Sequence, residues 1–168
     1  MGLDQWLTAK KFLWTDSVKD KERTEEIKDI IDVDKSLEIG RVKEISFELT
    51  SWRKANHIHK WFVDNVQEGE DDCKEYGVSM EQLQELLDVI NEILGTNIKE
   101  KIVHSLKDGF DKEKAEKLLP TQSGFFYGGT DYDEYYLEEL KDTQEFLTKL
   151  LKNKDKFEDL DIYYSSSW

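Results

Sequence analysis

Two stretches of this 168-residue chain hold residue types that do chemistry at informative spacings. The first is Ser51-Trp-Arg-Lys-Ala-Asn-His-Ile-His-Lys-Trp-Phe62. It carries Arg53, Lys54 and Lys60, two of the three histidines and no acid, although Asp and Glu outnumber Lys and Arg by 38 to 24 overall. Read as a helix from Trp52 to Val66 with Ser51 as its N-cap, it sets Arg53, His57 and Lys60 on neighbouring turns of one face, with Asn56 beside them. A local positive face on a polyanionic chain suits a phosphate or a carboxylate. A plainer account stays open, in which these residues pair with nearby acids and relieve self-repulsion.

The second stretch, Pro120–Tyr136, holds the only proline, three of the nine glycines and six of the aromatic side chains. Phe125-Phe126-Tyr127, between Gly124 and the pair Gly128-Gly129, reads as a short strand running into a tight turn. Thr130 and Asp131 then lead into an acidic helix. Such a corner brings backbone N–H groups close to a ligand, and it is equally a plain turn whose aromatics are core. The expected ligand-binding set is Trp52, Arg53, Asn56, His57 and Lys60 on the first stretch, with Gln122, Ser123, Phe126, Tyr127, Thr130, Tyr132 and Asp133 on the second. The two stretches are expected to wall one pocket. Arg53 would meet the anionic part of the ligand, Asn56, Gln122 or Ser123 its polar edges, and a tyrosine or Phe126 would stack.

Other chemistries find less support. His57 and His59 point roughly 200° apart on a helix, whereas helical zinc pairs use i and i+4. Cys73 is the single cysteine, and Asp71 and Asp72 beside it disfavour a thiolate. Neither phosphate-loop nor dinucleotide glycine spacing occurs. Asp131, Asp133 and Glu134 are accounted for as cap and first-turn residues. No catalytic residue, metal or cofactor is expected.

These stretches need a frame, and the rest of the chain reads as one α+β domain over residues 1–168, an antiparallel or mixed sheet packed against helices. Leu3–Trp14 alternates as a strand, with Leu3, Gln5, Leu7 and Ala9 on one side. Residues 15–38 form a charged peripheral helix or mobile insertion. Arg41–Thr50 is the clearest strand, expected near the middle of the sheet with Ile45, Phe47 and Leu49 inward. A short strand is expected at Lys74–Val78. Ser79-Met80-Glu81-Gln82 is a capping box and Gly95 a helix stop; Leu83, Leu86, Leu87, Ile90, Ile93 and Leu94 between them make one broad apolar face, expected to lie on the sheet. Further helices are expected from Asn97 to Gly109, over Asp111–Leu119, and over Asp133–Leu151, before a last strand with Leu160, Ile162 and Tyr164 inward.

A net charge of −14 argues against direct nucleic-acid binding, since neutralising phosphates needs a basic surface. No membrane span or signal core is legible, and one cysteine permits no internal disulfide. A soluble protein of a reducing compartment is expected. Whether it forms a homo-oligomer stays open.

Met1-Gly2-Leu3-Asp4, the block Trp52-Arg-Lys-Ala-Asn-x-Ile-His-x-Trp-Phe62, Asp71-Asp72-Cys73, Leu119-Pro-Thr-Gln-Ser-Gly-Phe-Phe126 and the terminal Ser-Ser-Trp168 resemble a family of small bacteriophage and prophage accessory proteins. The likeness covers nearly the whole chain apart from residues 15–38. Members more often read Met-Tyr at Gln5-Trp6 and Gly-Ser-Thr at Gly128-Gly129-Thr130. The resemblance implies an accessory protein acting in the host bacterial cytoplasm, with counter-defence as its setting, and carries over no catalytic residue. Two functions follow as expectations. One is a non-enzymatic protein that sequesters a small anionic ligand, such as a nucleotide immune signal. The other is an acidic inhibitor that occupies the nucleic-acid channel of a host defence protein, such as a nuclease or a restriction or CRISPR-type effector.

Overall fold

In the computed structural model, which describes residues 2–31, 40–95 and 109–168, the strand nearest the chain start becomes the inside of the sheet. β1 (Asp4–Phe12) buries Gln5, Leu7 and Ala9 completely on one side and leaves Trp6 and Thr8 partly covered on the other. β2 (Glu44–Arg53) and β4 (Asp161–Ser167) flank it, both antiparallel, and β3 (Tyr76–Gly77) adds to β4, so the order is β2-β1-β4-β3. The helices are α1 (Val18–Ile30), α2 (Asn56–Asn65), α3 (Met80–Leu94), α4 (Lys112–Leu118) and α5 (Glu134–Lys152), with a 3-10 turn at Lys154–Phe157. Sheet and helices close on one core, in which Leu7, Ile58, Phe62, Leu83, Ile90, Leu140, Leu147 and Tyr164 are all fully buried. The result is a single α+β domain.

β2 departs from expectation in three ways. It lies at the sheet edge and not near the middle; alternation reports that one face is covered and says nothing of lateral neighbours. A bulge between Leu7/Thr50 and Thr8/Glu48 makes Leu49 the extra residue, and Phe47 is 48% exposed although it pairs with the buried Ala9. The strand also runs on to Arg53, so Ser51 caps nothing and Trp52 and Arg53 are not helical. Sheet pairing overrides the local helix signal: Trp52 faces Gln5, Arg53 faces Asp4, and the Lys54 N–H donates to the Leu3 carbonyl at 2.7 Å.

α3 carries the expected capping box, with Ser79 Oγ accepting from the Gln82 N–H and Gln82 Oε1 accepting from the Ser79 N–H. Gly95 ends it in the left-handed conformation at φ 64°. All six expected apolar residues are buried, but the helix packs chiefly on α5 and α4. The helix that lies on the sheet is α2, whose Phe62 ring stacks on Tyr164 of β4 at a centroid distance of 3.9 Å. β3 is shorter than expected, and Phe125–Tyr127 is a loop rather than a strand, with Phe126 at φ 69°. The expected helix from Asn97 lies outside the described residues. No helix among the described residues is long and apolar enough to cross a membrane.

Candidate functional site

The site is built at the corner where β2 becomes α2. Lys54 makes that corner at φ 63°, and its carbonyl accepts from the Asn56 N–H at 2.8 Å. α2 starts at Asn56 behind Ala55, with no side-chain cap and no acid in its first turn. The positive end of the helix dipole is therefore left without a carboxylate of its own.

Loop 120–133 is tied onto this corner by one buried side chain. Asn56 Nδ2 donates to the carbonyls of Tyr127 at 3.2 Å and Gly129 at 2.8 Å, while Asn56 Oδ1 accepts from the Gln122 N–H at 2.9 Å. Gly128 lets the two segments touch. At φ 95°, a Cβ there would stand 2.9 Å from Lys54 Cβ and 3.1 Å from the Lys54 carbonyl oxygen. Asp133 then caps α5, its Oδ1 accepting from the Tyr135 and Tyr136 N–H groups at 3.0 and 3.2 Å.

Between corner, loop and α5 lies a cavity of about 250 Å³ lined by Arg53, Lys54, Asn56, His57, Thr121, Gly128, Gly129, Asp131, Asp133, Tyr135, Tyr136 and Glu139. Exposure divides these residues into a floor of Asn56, His57 and Tyr136, each at most 3% exposed, and a rim of Arg53, Lys54, Asp131, Asp133 and Tyr135. Arg53 keeps 73% of its side chain exposed and reaches Asp4 only at 3.7 Å. In the floor, the His57 ring lies on Tyr136 with centroids 4.3 Å apart, and His57 Nδ1 is 3.6 Å from Glu139 Oε2. Burial drives the His57 pKa down to about 3, so its imidazole is neutral. Burial, then the carboxylates of Asp133 and Asp142, push Glu139 up to about 7. Desolvation also holds the Tyr136 hydroxyl well above its ordinary range, and that group donates to the Leu119 carbonyl at 2.9 Å. The cavity thus combines two exposed cations with three carboxylates, and is not the uniformly positive face expected from helical spacing.

Four of the expected site residues, Arg53, Asn56, His57 and Asp133, line this cavity. Asn56 and Asp133 do so as braces, their polar atoms bonded to backbone. Trp52 is buried under the sheet, its Nε1 donating to Thr143 Oγ1 at 2.9 Å. Lys60 faces away and pairs with Asp64 at 2.7 Å, because a strand at 52–53 removes the face it was to share with Arg53. Gln122 contributes its backbone N–H, and Ser123 and Phe126 are exposed outside the cavity. Tyr127 is buried with its hydroxyl on Asp71 at 2.9 Å. The Thr130 carbonyl takes the Thr121 hydroxyl, and Tyr132 packs on Tyr136 while its oxygen accepts from the Thr121 N–H. The lining residues missed are Lys54, Thr121, Gly128, Gly129, Asp131, Tyr135, Tyr136 and Glu139. Glu139 had a legible signal, standing four and three residues after Tyr135 and Tyr136 on one helix face.

His59 belongs elsewhere. Fully buried, it has Nδ1 2.8 Å from the Tyr164 hydroxyl and Nε2 3.1 Å from Asp71 Oδ2. Among the described residues no group of His, Cys, Asp and Glu is arranged to hold a metal. The chain matches no protein-family model, no curated protein and no solved structure.

Proposed function

We propose that the cavity takes a small anionic, nucleotide-like ligand and that the protein works by holding it unchanged. In the accessory setting that the sequence resembles, this withdraws a nucleotide signal from a bacterial defence pathway. The observation that carries the reading is the meeting of Arg53, Lys54 and the uncapped start of α2 with residues 128–139 around one cavity. Arg53 and Lys54 are exposed at the rim, and Lys54 makes no ion pair among the described residues. Backbone N–H groups at a helix start and an exposed guanidinium are a standard phosphate-binding combination. Tyr135, 76% exposed at the rim, offers a ring face to a base. At about 250 Å³ the cavity falls just under the roughly 300–1,000 Å³ of drug-sized pockets. That scale fits one nucleotide unit and not an enclosed oligonucleotide.

Native mass spectrometry of the protein taken from infected cells identifies a retained ligand, and calorimetric titration with nucleoside 5′-monophosphates measures affinity. Arg53→Ala is expected to cost about 1.5–3 kcal/mol of binding, roughly ten- to a hundred-fold, as for one lost charge-assisted hydrogen bond. Its melting temperature should stay that of the parent, since the side chain is exposed. Unchanged affinity in Arg53→Ala would sink the reading and bring forward the acidic-inhibitor alternative.

A further inference from the structure

The cavity lining contains two polar side chains whose hydrogen-bonding capacity the scaffold leaves unspent. Asn56 spends its amide on Tyr127, Gly129 and Gln122, Tyr136 its hydroxyl on Leu119, Thr121 its hydroxyl on Thr130, and Asp133 a carboxylate oxygen on the first turn of α5. His57 and Glu139 differ. The His57 ring forms part of the floor at 2% exposure, and its Nε2 has no hydrogen-bond partner. Its Nδ1 stands 3.6 Å from Glu139 Oε2, beyond hydrogen-bond length. The Glu139 carboxyl, 31% exposed, has no hydrogen bond and no cation against it among the described residues. Folded proteins rarely leave a buried ring nitrogen such as His57 Nε2 unpaired, and the Glu139 carboxyl beside it keeps its exposed side open to the cavity.

We propose that Glu139, seated against His57, reads a planar edge bearing two adjacent N–H donors, the edge a guanine base presents, while Arg53 and Lys54 hold the ligand's anionic group. This deepens the ligand reading above and rests on it. A carboxylate accepts two parallel N–H donors side by side. Asp131 and Asp133 stand on the same cavity lining, so an edge rich in acceptors meets like partial charge, whereas a donor edge is drawn in. Burial with Asp133 and Asp142 holds Glu139 up to about 7, and two incoming donors replace the stabilisation that a bound proton otherwise supplies. Adenine's N1/N6 edge presents one donor and one acceptor, which fits an ionised carboxylate less well.

The test is calorimetric titration of the full chain at pH 7.5 with guanosine, inosine and adenosine 5′-monophosphates, each against the parent, Arg53→Ala and Glu139→Gln. Inosine differs from guanosine only in lacking the exocyclic amine, so it isolates one donor. The parent should bind the guanosine compound about tenfold more tightly than the inosine one. Glu139→Gln should erase that preference, and Arg53→Ala should weaken all three compounds together. Glu139→Asp, which keeps the charge but draws it back, should reduce the preference and serves if the glutamine variant does not fold. Equal, Arg53-dependent binding of the three compounds overturns the base reading alone, as does a preference that survives Glu139→Gln. Failure of all three to bind overturns it together with the ligand reading beneath it.

Discussion

Single residues lining the cavity make folding depend on pH in two opposed ways. The His57 pKa falls to about 3 from an ordinary 6.5, so below 6.5 the unfolded chain takes up a proton that the native state refuses. Its contribution to stability is therefore lost as pH falls from about 6.5 toward 3. Glu139 rises to about 7 from an ordinary 4.5, so the native state keeps a proton that the unfolded chain gives up. Its contribution is lost as pH climbs from about 4.5 through 7. Each group acts with a slope of up to about 1.4 kcal/mol per pH unit, the Glu139 slope being reduced by its partial exposure. Between about pH 4.5 and 6.5 the two oppose, and urea unfolding of the parent should show little net slope from this pair. Glu139→Gln should leave stability rising with pH across that window, and His57→Gln should leave it falling; matching slopes in both variants would refute the assignment. The loop glycines make a second pair. Gly128→Ala meets Lys54 backbone at positive φ and should cost about 1–3 kcal/mol. Gly129 has open space at its Cβ, so Gly129→Ser should stay within about 0.5 kcal/mol. Thermal melts of the two variants separate a steric role from a merely flexible loop.

At the scale of elements, α3 was the most legible, because its signals are local. Capping box, 3.6-residue periodicity and terminal glycine all act within one segment and agree. Leu86 is completely buried, and Leu86→Ala should lower stability by about 2–5 kcal/mol through lost burial and the cavity left behind; a change under 1 kcal/mol in chemical denaturation would mean the helix is not part of the core. β2 and α2 were less legible. Ser51 before Trp52 looks like a helix start, yet β1 begins at Asp4 and needs a partner as far as Arg53. Ladder hydrogen bonds from a distant strand outweigh one cap. The same shift turned Arg53 from a helical neighbour of His57 into the last residue of an edge strand, which changed the electrostatics of the site.

Across the whole molecule, one acid holds together segments far apart in the chain. Asp71, in the loop after α2, accepts from the Tyr127 hydroxyl at 2.9 Å and from Trp168 Nε1 at 2.9 Å, and lies 3.1 Å from His59 Nε2. Beyond His59 the chain of contacts continues through Tyr164 to Gln5, whose Nε2 donates to the Ala55 carbonyl at 3.0 Å. The network thus joins β1, β4, α2, the cavity loop and the C-terminal tryptophan. Asp71→Ala strands several buried or half-buried partners at once and should cost about 2–3 kcal/mol. Urea unfolding gives the size, and a shift in tryptophan emission before the main transition would show Trp168 released. An unchanged midpoint would make the network incidental.

Some of this protein was decided by the sequence alone. The α+β class, the inward face of β1 and the bounds of α3 and α5 all follow from patterns carried by neighbouring residues. Tertiary structure decided what depends on distant partners. Strand order placed β2 at the edge, pairing with Asp4 and Gln5 took Arg53 and Trp52 out of the helix, and burial against Tyr136 made His57 neutral rather than part of a cationic face. Glu139 came to line the cavity only because α5 packs across the corner of β2 and α2. Which way a side chain faces and what charge it carries depend on long-range pairing and desolvation, and no local window of sequence contains either.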